Sequence, residues 1–284
     1  MRVFTVDLYE YFDMERGNAN NGYLTCYVME RVQKAKGRGK FPAMLVIPGG
    51  AYWFVSEREG EPVVMRYLNA GFNCFLLNYS CGEGIHHPTQ LKEAAMAMIY
   101  IRENADKLKI YCDCVSATGF SAGGHLCGML ATLFDDESLD VFGESKAFVR
   151  PEAVVLSYPV ITGGVKGHHD SFVNLCGAEN KELISYLSLE KRVTEESSPA
   201  FIWATYGDDL VPVKNSLLMA DAYEENDVPF SLVIYEKGLH GLSRGDQLVF
   251  GTDNLPKASS KMPEWMDMAI AWLRDRGICL QDEG

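Results

Sequence analysis

Residues 114–134, CVSATGFSAGGHLCGMLATLF, contain the pattern that decides the fold. The apolar run 114–120 predicts a buried strand, and residues 122–134 predict a helix. Ser121 stands at the turn between them, within GFSAG, which matches the G-x-S-x-G pattern of a nucleophile held at a sharp strand-to-helix turn. Both glycines fit, because a side chain two residues before or after the serine would collide with the neighbouring turn. The alternative is a glycine-rich turn capped by a serine, and the strand and helix on either side argue against it.

The rest of the chain alternates short apolar runs with longer amphipathic segments, as expected for βα units around a mostly parallel sheet. The predicted strands are 22–30, antiparallel and near the sheet edge, then 41–47, 72–79, 114–120, 152–158, 200–206 and 229–236. The predicted helices are 56–71, 88–109, 122–134, 212–226 and 263–276. Ser56 and Glu59 have the spacing of a capping box at the start of the first of these helices.

Residues 160–198 interrupt this alternation of strands and helices with Gly, His, Ser and short helical fragments. Long excursions in compact domains are usually lids or binding loops, so this segment is predicted to cover the sheet of a single domain, 1–284. Its polar residues are candidates for contacts with the hydroxyl groups of a sugar substrate: His168, His169, Asp170, Ser171 and Asn174. An ordinary solvated lid is the alternative.

Composition and charge exclude several classes of protein. With 26 Lys and Arg against 39 Asp and Glu, the net charge is −13, which disfavours binding to nucleic acid or to an anionic membrane. No apolar stretch reaches the roughly 18 residues of a spanning helix, and the N-terminus has no signal-peptide pattern, so a cytoplasmic protein is expected. The eight cysteines do not have zinc-ligand spacing, so no metal site is expected.

A serine nucleophile needs a base to remove its proton. Of six histidines, only His240 follows the last predicted strand, in a glycine-flanked loop that would lie over the C-terminal edge of a parallel sheet. His125, one helical turn after Ser121, is predicted to be a packed helix residue. With this kind of nucleophile, the acid lies between serine and histidine in the chain, and Asp208 and Asp209 are both candidates there.

The turn Pro48-Gly49-Gly50-Ala51 follows a predicted strand and precedes the first major helix. Glycines there let backbone N–H groups approach a developing oxyanion. The N–H of Gly50 or Ala51 is therefore predicted to act together with that of Ala122. Tyr52 and Trp53 follow directly, and their rings are predicted to narrow the acyl side of the cleft.

Taken together, these segments resemble α/β-hydrolase esterases of the acetyl-xylan-esterase-like and BD-FAE-like kind, with hormone-sensitive-lipase and kynurenine-formamidase relatives. The resemblance runs from about residue 41 to the C-terminus. It is carried by PGGAYWFVSEREGEP, IRENADKL, GFSAGGHL, DDLVPVKNS and KGLHGLS. The family often has a third glycine where this chain has Ala51, which keeps its N–H.

The resemblance implies the α/β-hydrolase fold, with Ser121 as nucleophile, Asp208 as acid and His240 as base. It also implies cofactor-free hydrolysis of a small-molecule ester, as in relatives that remove acetyl groups from carbohydrates. An arylformamidase or small peptidase with the same triad is one alternative, and a non-catalytic binding protein on the same fold is another. A homodimer and a monomer both remain open.

Overall fold

The computed structural model describes residues 1–30, 39–177, 180–252 and 254–278. Within these residues, eight strands form one sheet: β1 (Arg2–Asp7), β2 (Tyr23–Val28), β3 (Phe41–Ile47), β4 (Asn73–Asn78), β5 (Ile110–Phe120), β6 (Val154–Ser157), β7 (Ala200–Thr205) and β8 (Phe230–Tyr235). Their spatial order is β1-β2-β4-β3-β5-β6-β7-β8. The β1–β2 and β2–β4 pairs are antiparallel, and every other pair is parallel.

Helices cover both faces of this sheet. They are α1 (Leu8–Tyr11), α2 (Glu61–Asn69), α3 (Thr89–Glu103), α4 (Ala105–Leu108), α5 (Ser121–Thr132), α6 (His169–Cys176), α7 (Lys181–Tyr186), α8 (Lys214–Glu225), α9 (Gln247–Phe250) and α10 (Trp265–Asp275). Short 3₁₀ helices span Glu57–Glu59, Leu189–Lys191 and Met262–Glu264, and Glu137–Phe148 contains two further 3₁₀ pieces separated by a kink at Gly143. Two apolar clusters fill the interior, one including residues of α3, α5 and α8 and the other residues of α2 and α10. The mostly parallel sheet with helices on both faces confirms the predicted fold class.

The strand order reverses beside β3, and this reversal determines where a site can form. The chain passes from β3 to β4 on one side and then returns to β5 on the other. In open parallel sheets, a crevice opens at the C-terminal ends of the strands at such a switch point. The loop after β3 and the turn after β5 both reach this crevice, and they are the two segments in which the sequence predicts oxyanion donors and a nucleophile.

Three sequence predictions differ from the structure. The edge strand β1 was not predicted, and β5 begins at Ile110, four residues earlier than expected. The capping box is wrong, because the Ser56 side chain makes no capping hydrogen bond and α2 begins only at Glu61. Glu59 is turned into the interior, where its carboxylate accepts a hydrogen bond from the N–H of Gly49. A carboxylate held there cannot reach back to cap the helix.

Close backbone approach explains the two glycines of the GFSAG turn. A Cβ on Gly119 would lie 2.2 Å from the carbonyl oxygen of Gly123, and a Cβ on Gly123 would lie 2.2 Å from that of Pro48. Backbone atoms held in two neighbouring elements cannot move aside as the end of a flexible side chain can. The glycines therefore let α5 start directly against the β3 end of the sheet.

Gly123→Ala is accordingly expected to lower the free energy of unfolding by about 1–3 kcal/mol, the usual cost of overpacking a well-packed site. Gly128→Ala, in the same helix, is the matched control, because its Cβ would meet only the end of the Leu189 side chain. Alanine is also the better helix former, which offsets part of that contact. Urea unfolding of both variants measures the difference, and equal stabilities would contradict the packing argument.

Candidate active site

Ser121 occupies the turn between β5 and α5 in a strained conformation. Its φ is +53°, in the left-handed region that residues with a side chain rarely adopt. The turn lifts the serine out of the end of the sheet, and α5 begins at the same residue. The hydroxyl is thus placed in the crevice next to the first turn of a helix.

His240 lies in the loop after β8 and connects Ser121 with Asp208. Its Nε2 is 2.8 Å from Ser121 Oγ, and its Nδ1 is 2.7 Å from Asp208 Oδ2. The three side chains come from the ends of three different strands of the parallel sheet. The structure therefore brings together the three residues that the sequence predicts as nucleophile, base and acid.

Asp208 is held rigidly in the loop after β7. Its Oδ1 accepts hydrogen bonds from the N–H groups of Leu210 (3.0 Å) and Val211 (2.8 Å), which leaves Oδ2 to face the histidine. The Asp208 side chain is 1% exposed, whereas Asp209 is exposed to solvent. Of the two acidic candidates, Asp208 alone contacts His240.

The loop after β3 passes over Ser121 with unusual backbone angles. The φ of Gly50 is +128° and that of Ala51 is +54°. The carbonyl of Gly50 accepts from the N–H groups of Trp53 and Phe54, which closes the loop into a tight turn. From the other side, the Nδ2 of Asn174 in α6 donates to the carbonyl of Ala51 at 2.8 Å.

The predicted oxyanion donors lie where the loop after β3 passes over Ser121. Gly50 and Ala51 line the same cleft as Ser121. Ala122 is the second residue of α5, where a backbone N–H has no partner within the helix. The positive end of the helix dipole also lies there, so the position favours a developing negative charge.

The cleft itself is small, with a volume of about 190 Å³. It is lined by Gly50, Ala51, Phe54, Ser56, Arg58, Glu59, Ser121, His168, Leu210, His240 and Gly241. A larger cavity of about 550 Å³ lies between α2 and the strands β2 and β4, and none of Ser121, His240 and Asp208 lines it. Ser121 and His240 therefore face the smaller of the two cavities.

Of the predicted substrate contacts, Tyr52 needs correction, because it is 1% exposed and lies in the core. The residues that line the cleft do not include Trp53, His169, Asp170, Ser171 or Asn174. His168 does line it, and its Nδ1 is 2.8 Å from the Ser171 hydroxyl. Phe54, 57% exposed, is the aromatic ring that the loop presents to the cleft.

Tyr52 instead joins the loop after β3 to the interior. Its hydroxyl is 2.8 Å from Nδ1 of His125, and Nε2 of His125 is 2.8 Å from the carbonyl oxygen of Leu187. Burial lowers the pKa of His125 to about 4, so the ring is neutral and can accept from Tyr52 while it donates to Leu187. His125 is a packed helix residue, as predicted, and it links α5, this loop and the excursion.

Sequence reasoning missed Glu59 and Tyr158, and it predicted Asn174 only as a contact with substrate. Glu59 lies within the family-like stretch PGGAYWFVSEREGEP, but its spacing from Ser56 suggested a helix cap. Tyr158 and Asn174 carry no local pattern of their own. Their contacts with the loops around Ser121 depend on how the sheet and the excursion fold together.

Among the residues that the structure describes, no group of three or more His, Cys, Asp or Glu residues could hold a metal ion. In the same residues, no helix is long and apolar enough to cross a membrane.

The chain is similar to several known proteins. The BD-FAE family model matches residues 30–223. The chain is 42% identical over 214 residues to endo-1,4-beta-xylanase B of Butyrivibrio fibrisolvens, covering 72% of this chain and 33% of the relative. It is 28% identical over 241 residues to the acetylxylan esterase of Xylanibacter ruminicola, covering 82% and 46%. This chain therefore spans between a third and a half of the length of these two relatives.

Among solved structures, the acetyl ester-xyloside bifunctional hydrolase of Caldicellulosiruptor lactoaceticus superimposes with a TM-score of 0.79 and 31% identity, covering 90% of this chain and 89% of that one. The fold and these similarities define the class of protein, which is the α/β-hydrolase fold class. Within that class, the chain belongs to the BD-FAE family.

Proposed function

We propose that this chain is a serine carboxylesterase that hydrolyses short-acyl esters, with Ser121 as nucleophile, His240 as general base and Asp208 as the acid that orients it. The observation that carries the proposal is the continuous hydrogen-bonded line from Asp208 Oδ2 through both ring nitrogens of His240 to Ser121 Oγ. Nucleophile, base and orienting acid within hydrogen-bond reach form the arrangement that activates a serine.

In the proposed reaction, Ser121 Oγ bonds to the ester carbonyl carbon while its proton passes to His240 Nε2. The tetrahedral intermediate then breaks the bond to the alcohol oxygen, which leaves with that proton. Water attacks the acyl-enzyme as His240 takes its proton, and the acid is released with Ser121 restored. Asp208 Oδ2 accepts from the Nδ1–H of the imidazolium and so stabilises its charge.

The backbone N–H groups of Ala122 and of Gly50 or Ala51 are proposed to bind the oxyanion of both intermediates. Such preorganised donors are worth about 10²–10³-fold in kcat each. The hydrogen bond from Asn174 to the Ala51 carbonyl supports this role, because it restrains the backbone of Ala51, one of the two residues whose N–H is a candidate donor.

For the substrate, we propose an acetylated carbohydrate. The acetylxylan esterase of X. ruminicola and the acetyl ester-xyloside hydrolase of C. lactoaceticus are both relatives of this chain. The small cleft and its polar residues Arg58 and His168 fit a short acyl group on an alcohol rich in hydroxyls.

The first test is acyl-chain length. Acetyl esters of p-nitrophenol are expected to be hydrolysed with about tenfold or higher kcat/KM than octanoyl esters, because a long chain overfills the cleft beside Phe54 and Leu210. A preference for octanoate would contradict the short-acyl proposal. A second panel compares acetylated xylo-oligosaccharides with N-formylkynurenine. Faster turnover of N-formylkynurenine would replace the carbohydrate esterase with an arylformamidase.

Metal independence is a separate expectation, because the proposed steps use only side chains and backbone N–H groups. Activity on p-nitrophenyl acetate is expected to be unchanged after prolonged dialysis against a chelator. Loss of activity that returns on adding zinc or calcium would contradict the mechanism.

A further inference from the structure

Glu59 is a buried carboxylate that the proposed chemistry does not use. The residue is 3% exposed, although it reaches the wall of the cleft. Burying a carboxylate is costly unless hydrogen bonds compensate for lost water. No Lys, Arg or His of the described residues forms an ion pair with it, and two hydrogen bonds hold it in place. Because burying this carboxylate is unfavourable, we expect Glu59 to have a role besides packing.

One of its oxygens holds the loop after β3. Glu59 Oε2 accepts from the N–H of Gly49 at 2.7 Å, directly before Gly50 and Ala51, the proposed oxyanion residues. A Cβ on Gly49 would lie 2.6 Å from the carbonyl oxygen of Phe120, so the loop passes immediately over the nucleophile turn. The hydrogen bond therefore sets the direction of the peptide that leads into the oxyanion loop.

The other oxygen holds the histidine loop through Tyr158. The Tyr158 hydroxyl donates to Glu59 Oε1 at 2.7 Å and accepts from the N–H of Ser243 at 2.8 Å. Its ring packs edge-on against the imidazole of His240, with centroids 5.1 Å apart. Burial, reinforced by the Glu59 carboxylate, raises the pKa of Tyr158 well above its usual value, so the phenol keeps the proton it donates.

We infer that Glu59 is a positioning residue that fixes the oxyanion loop and the His240 loop to each other. The inference rests on the proposed esterase function. A single carboxylate can bridge the two loops because both partners donate to it, one to each oxygen. A glutamine could accept only one of these hydrogen bonds and would turn its NH₂ group toward the other donor. Glu59 therefore acts on the reaction without touching the reacting atoms.

Glu59→Gln tests this role with p-nitrophenyl acetate as substrate. We expect kcat to fall about 10- to 100-fold, with KM within about threefold of the wild type. The reason is that displacing the oxyanion donors and His240 weakens contacts made in the transition state and leaves the binding of substrate unchanged. The matched control is Glu57→Gln, which removes the same charge from an exposed residue of the same 3₁₀ helix. The control is expected to stay within about twofold of wild-type kcat, as is usual for surface substitutions.

Tyr158→Phe supplies a second variant, which keeps the ring against His240 and removes only the hydroxyl. It is expected to lower kcat, and the double variant is expected to lose less than the product of the two single losses, because both act through one hydrogen bond. Thermal unfolding of each variant shows whether the fold is retained. If the Glu59→Gln variant does not fold, the Tyr158→Phe variant alone tests the positioning role. A lower kcat at unchanged KM would support that role.

The outcomes separate the positioning role from the function on which it rests. If the wild type hydrolyses acetate esters and folded Glu59→Gln keeps more than half of its kcat, the positioning role is wrong and the esterase function stands. A rise in KM with unchanged kcat would also overturn it, because Glu59 would then be a binding residue. A wild type that hydrolyses no ester would remove the proposed function, and the positioning role with it.

Discussion

Ser121→Ala is expected to fold as the wild type does and to lose about 10⁴-fold or more in kcat on p-nitrophenyl acetate, in line with nucleophile removals in other serine hydrolases. The reason is chemical, because without Oγ no acyl-enzyme can form. Only the oxyanion donors and the bound geometry would then act on a water molecule. Purified variant and wild type are compared by initial rates at saturating substrate.

Ser116→Ala is the matched control for this variant. Ser116 lies in the same strand, β5, and its side chain is buried. The control is expected to retain wild-type activity, since the substitution lies away from the cleft. A Ser121→Ala variant that kept more than about a tenth of kcat would show that another group is the nucleophile, given the losses normal for such residues.

Asp208→Asn is expected to lower kcat by about 10²–10⁴-fold, as triad-acid replacements do elsewhere. The hydrogen bonds of this loop explain why. The N–H groups of Leu210 and Val211 would hold the amide oxygen of the new side chain, so its NH₂ group would face His240 Nδ1. An imidazole that accepts at Nδ1 carries its proton on Nε2 and can no longer take the proton of Ser121.

Asp209→Asn provides the comparison, because it makes the same change at the next residue. Its side chain is exposed, and the loss in kcat is expected to stay below about tenfold, as for other surface substitutions. Steady-state kinetics on both variants give the ranking. A larger loss at Asp209 would assign the acid to that residue and would contradict the observed contact between Asp208 and His240.

The elements that carry most of the site could be predicted because local pattern and tertiary environment agree. β3 is a buried parallel strand, and its apolar run 41–47 matches its observed bounds. The GFSAG turn likewise carries its own steric reason in its glycines. β1 was missed because it is an edge strand without a fully buried side chain, in which Phe4 and Val6 are only partly buried against the core.

The errors at the cleft have a different cause. Tyr52 and Phe54 are two residues apart, and which of them faces the cleft depends on the positive φ angles of Ala51 and Tyr52. Spacing alone does not reveal those angles in residues that have a Cβ. Glu59 was assigned to a helix cap because its local pattern fits one. Its actual partners, Gly49 and Tyr158, become neighbours only when the sheet has formed.

The most direct test of the whole account is covalent labelling with a fluorophosphonate probe, read by intact mass and by sequencing of the labelled peptide. The wild type is expected to gain the mass of one probe, located on Ser121, because only a serine activated by a neighbouring base reacts readily. Ser121→Ala is expected to gain none, and Asp208→Asn to react much more slowly than the wild type. A wild type that stays unlabelled, or that carries the probe on another residue, would contradict the proposed nucleophile and the mechanism built on it.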